Sequence, residues 1–211
     1  KTTMIKLLCR LYDPDEGVIL VNGVDIRKFR QEEYVRLFSV VFQDFQLFSL
    51  ILAENVASST EYEEERVERC LEDVGFGERL EKLKREGEGI RSYLYKDYTD
   101  SGIEISGGEA QKLAIARAVY RESSFVLLDE PTAALDPLAE AEIYGNFDRI
   151  VGEKTAVYIS HRLSSCRFCK KIAVFDKGCL VQLGSHEELL SEEGGTYARL
   201  WNAQAQYYQT L

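Results

Sequence analysis

The chain has 211 residues, 45% of them hydrophobic and 11% aromatic, which is enough to bury a core in one or two domains and excludes a disordered chain. Asp and Glu total 36 against 26 Lys and Arg, a formal net charge of −10, which excludes the basic surface needed to bind nucleic acid or anionic lipid. The apolar runs are far shorter than the roughly 18 residues of a membrane span, so we expect none in this sequence. The five cysteines are scattered and odd in number, which predicts reduced thiols rather than a disulfide framework.

Taken in chain order, the first predicted elements are a helix, a hairpin and a strand. The apolar residues that open the chain recur at helical spacing: Met4, Leu7, Leu8 and Leu11. Asn22-Gly23 lies between two apolar runs and predicts a hairpin, because this dipeptide tolerates the positive φ of a type I′ turn. Phe38–Phe42 predicts a short strand that ends just before Gln43.

From Asp44 to about Tyr98 the pattern becomes helical and strongly charged. One apolar stripe at helical spacing runs through it: Val67, Cys70, Leu71 and Val74. The acidic run of residues 61–72 is typical of a solvated helix face. We therefore expect an inserted helical subdomain here.

Strands return after Glu122. Phe125–Leu128 is apolar at every position, as in a central parallel strand covered on both faces, and Thr155–Ile159 predicts a second strand. Residues 171–175 and 180–183 flank an Asp-Lys-Gly turn and predict a hairpin. Alternating strands and helices predict a parallel α/β sheet, on which ligands bind at the carboxyl ends of the strands. The polar residues that follow predicted strands are Gln43, Asp129, Glu130 and His161.

Two segments have the residue types of a nucleotide site. Ser106-Gly107-Gly108 precedes a run of helix formers, and a helix start with free N–H groups is suited to phosphate, although a plain glycine loop before a helix would have the same sequence. Asp129 and Glu130 suit a nucleotide hydrolase, in which the first acid holds Mg²⁺ and the second orients or deprotonates water. Alternatively, the two acids cap the turn that follows.

Six segments in order resemble the motifs of the nucleotide-binding domain of ATP-binding cassette (ABC) transporters. Lys1–Thr3 is similar to the tail of the phosphate-binding loop, Val41–Gln43 to the Q-loop and Ile105–Glu109 to the signature motif. Phe125–Glu130 resembles the Walker B strand, Ala133–Asp136 the D-loop and Ile159–His161 the switch histidine segment. An ordered set of six is far more specific than any single glycine motif.

The resemblance implies an α/β fold with a P-loop NTPase core: a mostly parallel sheet with flanking helices, a small antiparallel β part and an inserted helical subdomain. The implied division is 1–44 for the first part of the core, 45–117 for the helical and signature subdomain, and 118–211 for the second part of the core.

The resemblance also implies ATP and Mg²⁺ as cofactors and a role for each motif residue. The implied nucleotide-binding residues are Lys1, Thr2, Thr3, Ser106, Gly107, Gly108 and Asp136. The implied Mg²⁺ residues are Thr2, Gln43 and Asp129, and the implied catalytic residues are Glu130, His161 and Gln43. In this family the signature motif reaches the nucleotide of the opposite subunit, so one chain would not complete an ATP site.

The sequence departs from the family pattern at three places. Glu109 stands where the signature motif commonly has glutamine, and Ala133 where the D-loop commonly has serine. The phosphate-loop glycines and the strand with an adenine-stacking aromatic residue, which precede the lysine in the family, do not occur before Lys1. We therefore expect the 211 residues alone to bind ATP weakly or not at all, and a longer parent to be the active species.

Within the family, Ala53–Val56, Gly184–Leu190 and Gly195–Trp201 resemble exporters whose membrane domain precedes the ATPase on one polypeptide. The implied function is to hydrolyse ATP and to power export by nucleotide-driven dimerisation at the cytoplasmic face of the cell membrane. The implied partners are a second nucleotide-binding domain, in a homodimer or heterodimer, and the transmembrane domain of the same transporter, with no nucleic acid.

Three alternatives stay open. A soluble cassette ATPase acting on chromosomes or DNA repair is disfavoured by the short segment between Gln43 and Ser106 and by the acidic charge. An inert cassette is favoured by the absent glycines and disfavoured by the acid and histidine that are present. A zinc site could use four residues, His161, Cys166, Cys169 and Cys179, against the alternative of free thiols.

Overall fold

The computed structural model describes residues 1–209, with the side chains of all of these except residues 137, 148, 164 and 206–209. The chain divides into two compact units: Thr2–Ile159, and a second unit made of Lys1 and the residues from Ser160 onward. Of the helices that the structure describes, none has the length and apolar character to span a bilayer.

The described residues form ten α-helices and seven strands. The helices are α1 Thr2–Leu8, α2 Gln31–Val35, α3 Leu52–Ala57, α4 Glu64–Asp73, α5 Gly77–Glu86, α6 Gly107–Tyr120, α7 Pro137–Gly145, α8 Phe147–Val151, α9 His186–Ser191 and α10 Thr196–Gln209. The strands are β1 Leu20–Val21, β2 Val24–Asp25, β3 Phe38–Val41, β4 Phe125–Asp129, β5 Thr155–Ile159, β6 Ile172–Asp176 and β7 Cys179–Gly184.

A parallel sheet in the order β3-β4-β5 forms the centre of the first unit. The prediction that the all-apolar segment is the central strand is confirmed. Val126 and Leu128 of β4 pack with Ala118 of α6 on one face, and Leu127 packs with Ile5 of α1 on the other. Because both faces are covered, each position of this strand favours an apolar side chain.

The first predicted hairpin is confirmed but is shorter than the apolar runs suggested. β1 and β2 pair through a turn in which Asn22 has φ 51° and Gly23 has φ 78°. After Asp25 the chain enters a short 3₁₀ helix, because the Asp25 carboxylate accepts a hydrogen bond from the backbone N–H of Arg27. This local cap removes Ile26 from the second strand.

Helices α3 to α6 build a second core in the same unit. The predicted apolar stripe is buried in this core: Val67, Cys70, Leu71 and Val74. Helical structure does not extend to Tyr98, however, because residues after α5 form short bridges instead, including Leu94 with Ile103. Gly102 permits this path, since a Cβ at this position would overlap the carbonyl group of Tyr95.

The second unit contains an antiparallel β6–β7 hairpin, which confirms the second predicted hairpin, followed by α9 and α10. A 3₁₀ helix, Leu163–Phe168, precedes the hairpin. The buried core residues of this unit are Ile172, Val174, Leu189 and Tyr197. His186 begins α9 directly after the N-cap Ser185.

Candidate functional site

The last residue of β4 places a carboxylate at the carboxyl end of the central sheet. Asp129 pairs in register with Ile159 of β5 and is 1% exposed. Within the part of the chain that the structure describes, neither oxygen of this carboxylate has a hydrogen-bond partner. A buried charge without a partner is destabilising, and a hard cation that prefers oxygen ligands would supply the partner. The orphaned oxygens therefore fit the Mg²⁺ role expected for Asp129.

The next residue, Glu130, has an unusual backbone conformation, with φ 51°. A residue with a Cβ in this left-handed region is strained and needs support from its surroundings. Its N–H donates to the carbonyl oxygen of Ile159 at 2.9 Å, and its carbonyl oxygen accepts from the N–H of Ala133 at 3.2 Å and from Nε2 of Gln111 at 3.2 Å. These contacts fix the backbone that carries the candidate catalytic acid.

Gln111 on α6 was not among the predicted site residues. Its Oε1 accepts from the N–H of Ala134 at 2.8 Å while its Nε2 donates to the carbonyl of Glu130, so one amide holds both ends of this loop. Its side chain is buried, and it shares a helix face with Ala114, Ile115 and Ala118. A glutamine at a buried position of this periodicity is the signal that could have identified it from the sequence.

Helix α6 begins at the predicted phosphate-facing segment. Ser106 is its N-cap and forms a capping box with Glu109: the Ser106 Oγ accepts from the N–H of Glu109 at 3.2 Å, and Oε2 of Glu109 accepts from the N–H of Ser106 at 2.9 Å. Gly107 and Gly108 are the first two helical residues, and a Cβ built on Gly108 would lie 3.6 Å from the carbonyl oxygen of Ala134. The signature and D-loop segments therefore touch within one unit.

The charge of Glu109, the first departure from the family pattern, is matched by Arg79 of α5. Oε1 of Glu109 lies 3.2 Å from Nε of Arg79, with both side chains about one quarter exposed. The contact is an ion pair, and Nε of Arg79 has no hydrogen-bond partner among the described residues. Both oxygens of Glu109 are thus engaged within the chain.

Gln43 follows β3 and is exposed at an open groove in the first unit. The same groove is lined by Gly107 and by Ala134, so three of the predicted motifs meet at it. Ser49 on one side donates a hydrogen bond to the carboxylate of Asp97 on the other. The structure thus brings together the Q-loop, the signature segment and the D-loop.

The loop after Gln43 is held by a second group that sequence reasoning missed. The Asn55 amide donates to the carbonyl of Phe48 at 2.9 Å, and its oxygen accepts from the N–H of Phe48 at 2.9 Å. Arg117 of α6 donates to the carbonyl oxygens of Asn55 at 2.7 Å and Gln46 at 3.1 Å. Burial lowers the pKa of the Arg117 guanidinium. The helix that starts at the signature segment therefore also makes hydrogen bonds to the Q-loop side of the groove.

Asp136, a predicted nucleotide contact, is the N-cap of α7. Its Oδ1 accepts from the N–H of Leu138 at 2.9 Å and of Ala139 at 3.0 Å. These backbone hydrogen bonds, that of Ala139 first, lower the pKa of the carboxyl group. The side chain thus has a structural role at a helix start, and its contact with nucleotide stays a prediction.

The remaining predicted residues are Lys1, Thr2 and Thr3 at the start of the chain and His161 after strand β5. Thr2 and Thr3 form the first turn of α1, and Lys1 directly precedes this helix in the sequence. His161 is exposed in the second unit, in the segment that leads into the 3₁₀ helix. Its carbonyl oxygen accepts from Nε2 of Gln204 on α10 at 2.8 Å.

The zinc alternative finds no geometric support among the described residues, where no three His, Cys, Asp or Glu side chains form a group that could hold a metal ion. All five cysteines are free thiols. Burial raises the pKa of Cys166 to about 11 and also raises that of Cys169, so both thiols are protonated at neutral pH.

Comparison with known proteins decides the family. The sequence profile described as "ABC transporter" matches residues 1–133. The chain belongs to the ABC transporter family. The subtilin transport ATP-binding protein SpaT of Bacillus subtilis is 38% identical over 197 residues, covering 90% of this chain and 31% of that protein. The ATP-dependent lipid A-core flippase of Burkholderia pseudomallei is 36% identical over 206 residues, covering 98% of this chain and 33% of that protein.

A solved bacterial Atm1-family ABC exporter with ATP bound superposes with a TM-score of 0.86 and 32% identity, covering 97% of this chain and 35% of that one. This match confirms the predicted α/β P-loop NTPase fold. The ABC chain is a nucleotide-binding domain similar to the ATP-binding parts of exporters, and family membership implies ATP binding. It spans about a third of the length of the curated relatives described above.

Proposed function

We propose that this ABC domain hydrolyses ATP to drive export by a longer membrane transporter. The observation that supports the proposal most directly is the buried Asp129 carboxylate, whose oxygens have no hydrogen-bond partner among the described residues. It stands beside Glu130 at the end of β4, and Gln111 connects this point to the helix that begins at the signature segment. A site built for a cation, next to an acid on a strained backbone, suits phosphoryl transfer to water.

The residues divide the work by position. Asp129 would hold Mg²⁺, together with Thr2 and Gln43, and this ion would neutralise charge on the phosphates of ATP. Glu130 would orient the attacking water and accept its proton, for which its backbone is already fixed by Ile159, Ala133 and Gln111. Lys1 and His161 would contact the terminal phosphates.

The proposed active form has two nucleotide-binding domains, in a homodimer or heterodimer. Residues 106–108 open the 14-residue helix α6, whose first N–H groups and dipole favour an anion. Ser106, Gly107 and Gly108 would face the nucleotide bound by the other domain. Glu109 is compatible with this role, because Arg79 balances its charge within the chain.

The groove at Gln43 would receive the transmembrane domain of the same transporter, and the nucleotide-binding domain would then lie at the cytoplasmic face of the membrane. Three nucleotide-site motifs border this groove, so a segment seated in it would sense movements of all three. Arg117 joins the loop side of the groove to the signature helix by hydrogen bonds to Gln46 and Asn55. This shared border would couple ATP turnover to transport.

The proposal is tested by measuring ATP hydrolysis of the complete gene product in lipid nanodiscs, with and without Mg²⁺. Glu130→Gln should reduce turnover about 100-fold or more while retaining ATP binding, because it removes only the proton acceptor. The control is Glu153→Gln, the same change at an exposed position of the same unit. Full activity in Glu130→Gln, or hydrolysis independent of Mg²⁺, would contradict the proposed function.

A further inference from the structure

The C-terminal helix α10 holds the backbone around His161 through a single amide. Nε2 of Gln204 donates to the carbonyl oxygen of His161 at 2.8 Å, and Oε1 of Gln204 accepts from the N–H of Leu163 at 3.0 Å. The two contacts bracket one residue, so the amide satisfies a carbonyl and an N–H that a neighbouring strand would otherwise pair. A side chain with a donor and an acceptor on one rigid plane is required for this geometry.

The rest of this segment is fixed by its own hydroxyl groups. Ser160 Oγ accepts from the N–H of Arg162 at 2.8 Å, and Ser165 Oγ donates to the carbonyl oxygen of Arg162 at 2.6 Å. These contacts are local in sequence and set the shape of the turn. Gln204 ties the backbone of His161 and Leu163 to a distant element, helix α10.

Helix α10 is itself anchored, so the contact at Gln204 has a firm base. Tyr197 is 1% exposed, its hydroxyl lies 2.8 Å from Nδ1 of His186, and its N–H donates to Oε1 of Gln182 at 2.9 Å. The ring of Trp201 packs against His186 with centroids 4.6 Å apart. Tyr197, Trp201 and Gln204 follow each other at helical spacing on one face of α10. The face that packs on α9 and β7 therefore also presents Gln204.

We infer that Gln204 is a positioning residue that fixes the backbone of the switch segment, so that His161 is held ready for the terminal phosphate of ATP. This inference rests on the proposed function, in which His161 contacts the nucleotide. The C-terminal tail then supports catalysis, in addition to resembling the tails of exporters. Gln204 acts through the main chain of His161 and touches neither nucleotide nor metal.

The test compares Gln204→Met with Asn202→Met in the complete gene product. Methionine has the length and the helix propensity of glutamine but neither the donor nor the acceptor. Asn202 is exposed on the same helix and receives the same new side chain. Gln204→Met should lower kcat roughly tenfold with little change in KM, because a misplaced group slows the chemical step more than binding. Asn202→Met should match wild type.

A second readout follows the contact itself. Hydrogen exchange of the Leu163 amide should be faster in Gln204→Met than in wild type, since that N–H loses its acceptor. Should Gln204→Met fail to fold, Gln204→Glu replaces it: the acceptor for Leu163 remains, the donor to His161 is lost, and kcat should still fall. Wild-type kcat in both variants, unchanged exchange at Leu163 or an equal loss in Asn202→Met would overturn the inference. A wild-type protein without ATPase activity would overturn the proposed function, and with it the inference that rests on that function.

Discussion

Single polar side chains hold the loops of this site in place, and their charges must balance. Glu109 stands where the family pattern favours a neutral amide, at the start of the helix that would face phosphate. A carboxylate there opposes an anionic ligand unless a cation compensates it. Arg79 provides this compensation through a contact of 3.2 Å. At this position, two residues far apart in sequence replace one neutral residue.

A double-mutant cycle on this pair tests the compensation. Arg79→Met should reduce ATP turnover roughly threefold, because it leaves Glu109 uncompensated at a partly exposed site. Glu109→Gln in the same chain should restore turnover, since the charge that needs balancing is gone. Steady-state hydrolysis of the four proteins gives the coupling. Equal effects of Arg79→Met with and without Glu109 would show that the ion pair has no role in turnover.

Among the secondary-structure elements, helix α6 connects three parts of the site that the sequence motifs show only separately. Its N-terminus presents the signature segment, Gln111 in its second turn holds the Glu130 loop, and Arg117 near its end holds the Q-loop side of the groove. Asn55 completes the last contact from α3. A shift of α6 would therefore move both the loop of the candidate catalytic acid and the Q-loop side of the groove.

Asn55→Ala should weaken the fold around the groove. Asn55 is 1% exposed, and its removal leaves the N–H and carbonyl of Phe48 without their partners. Losing the two hydrogen bonds between the Asn55 amide and the Phe48 backbone should lower the unfolding free energy by about 1–3 kcal/mol. Urea denaturation followed by circular dichroism measures the change, with Asn202→Ala on an exposed helix face as the control. A loss as small as that of the control would mean that water satisfies the loop.

Much of the architecture could be predicted from the sequence, because its signals are local. Strand β4 was recognisable from its unbroken apolar run, and the β1–β2 turn from Asn22-Gly23. The links made by Gln111, Arg117 and Gln204 could not be predicted, since each joins residues that only the fold brings together. Local competition also limited the prediction at Asp25. Its side chain caps the following 3₁₀ helix, and this ends strand β2 earlier than the apolar pattern indicates. The motif residues predict the chemistry of the site, whereas the long-range side-chain contacts that support these residues become visible only in the fold.

At the scale of the whole molecule, the five cysteines report on how each part is packed. Cys9 and Cys70 are buried in the first unit, while Cys179 is exposed on β7 in the second. Burial raises the pKa of Cys9, like that of Cys166, to about 11. At pH 8 only about one part in a thousand of such a thiol is the reactive thiolate.

Iodoacetamide at pH 8 should therefore modify Cys179 first, with the four other cysteines reacting only slowly until denaturant is added. Labelling of Cys9 and Cys166 should quicken as the pH rises toward 11, because their raised pKa values keep them protonated below it. Peptide mapping by mass spectrometry follows each site. Fast labelling of Cys166 and Cys169 at pH 8, suppressed by added zinc, would revive the metal-site alternative.

In the proposed active form, each ATP site is divided between two nucleotide-binding domains, with Glu130 on one and the signature segment on the other. Gly108→Asp would break the signature half by adding a negative charge, and the new Cβ would meet no atom closer than 3.4 Å, an ordinary van der Waals contact. Glu130→Gln would break the other half. In a homodimer, each variant alone should form a transporter with two defective sites.

The most direct measurement is the ATPase rate of a mixed pair, in which the Glu130→Gln and Gly108→Asp forms of the complete gene product are co-expressed with different tags and purified through both. One intact site then remains, made from Glu130 of one copy and Gly108 of the other. The mixed pair should regain Mg²⁺-dependent hydrolysis that neither variant shows alone. A mixed pair as inactive as its parents would contradict the shared site.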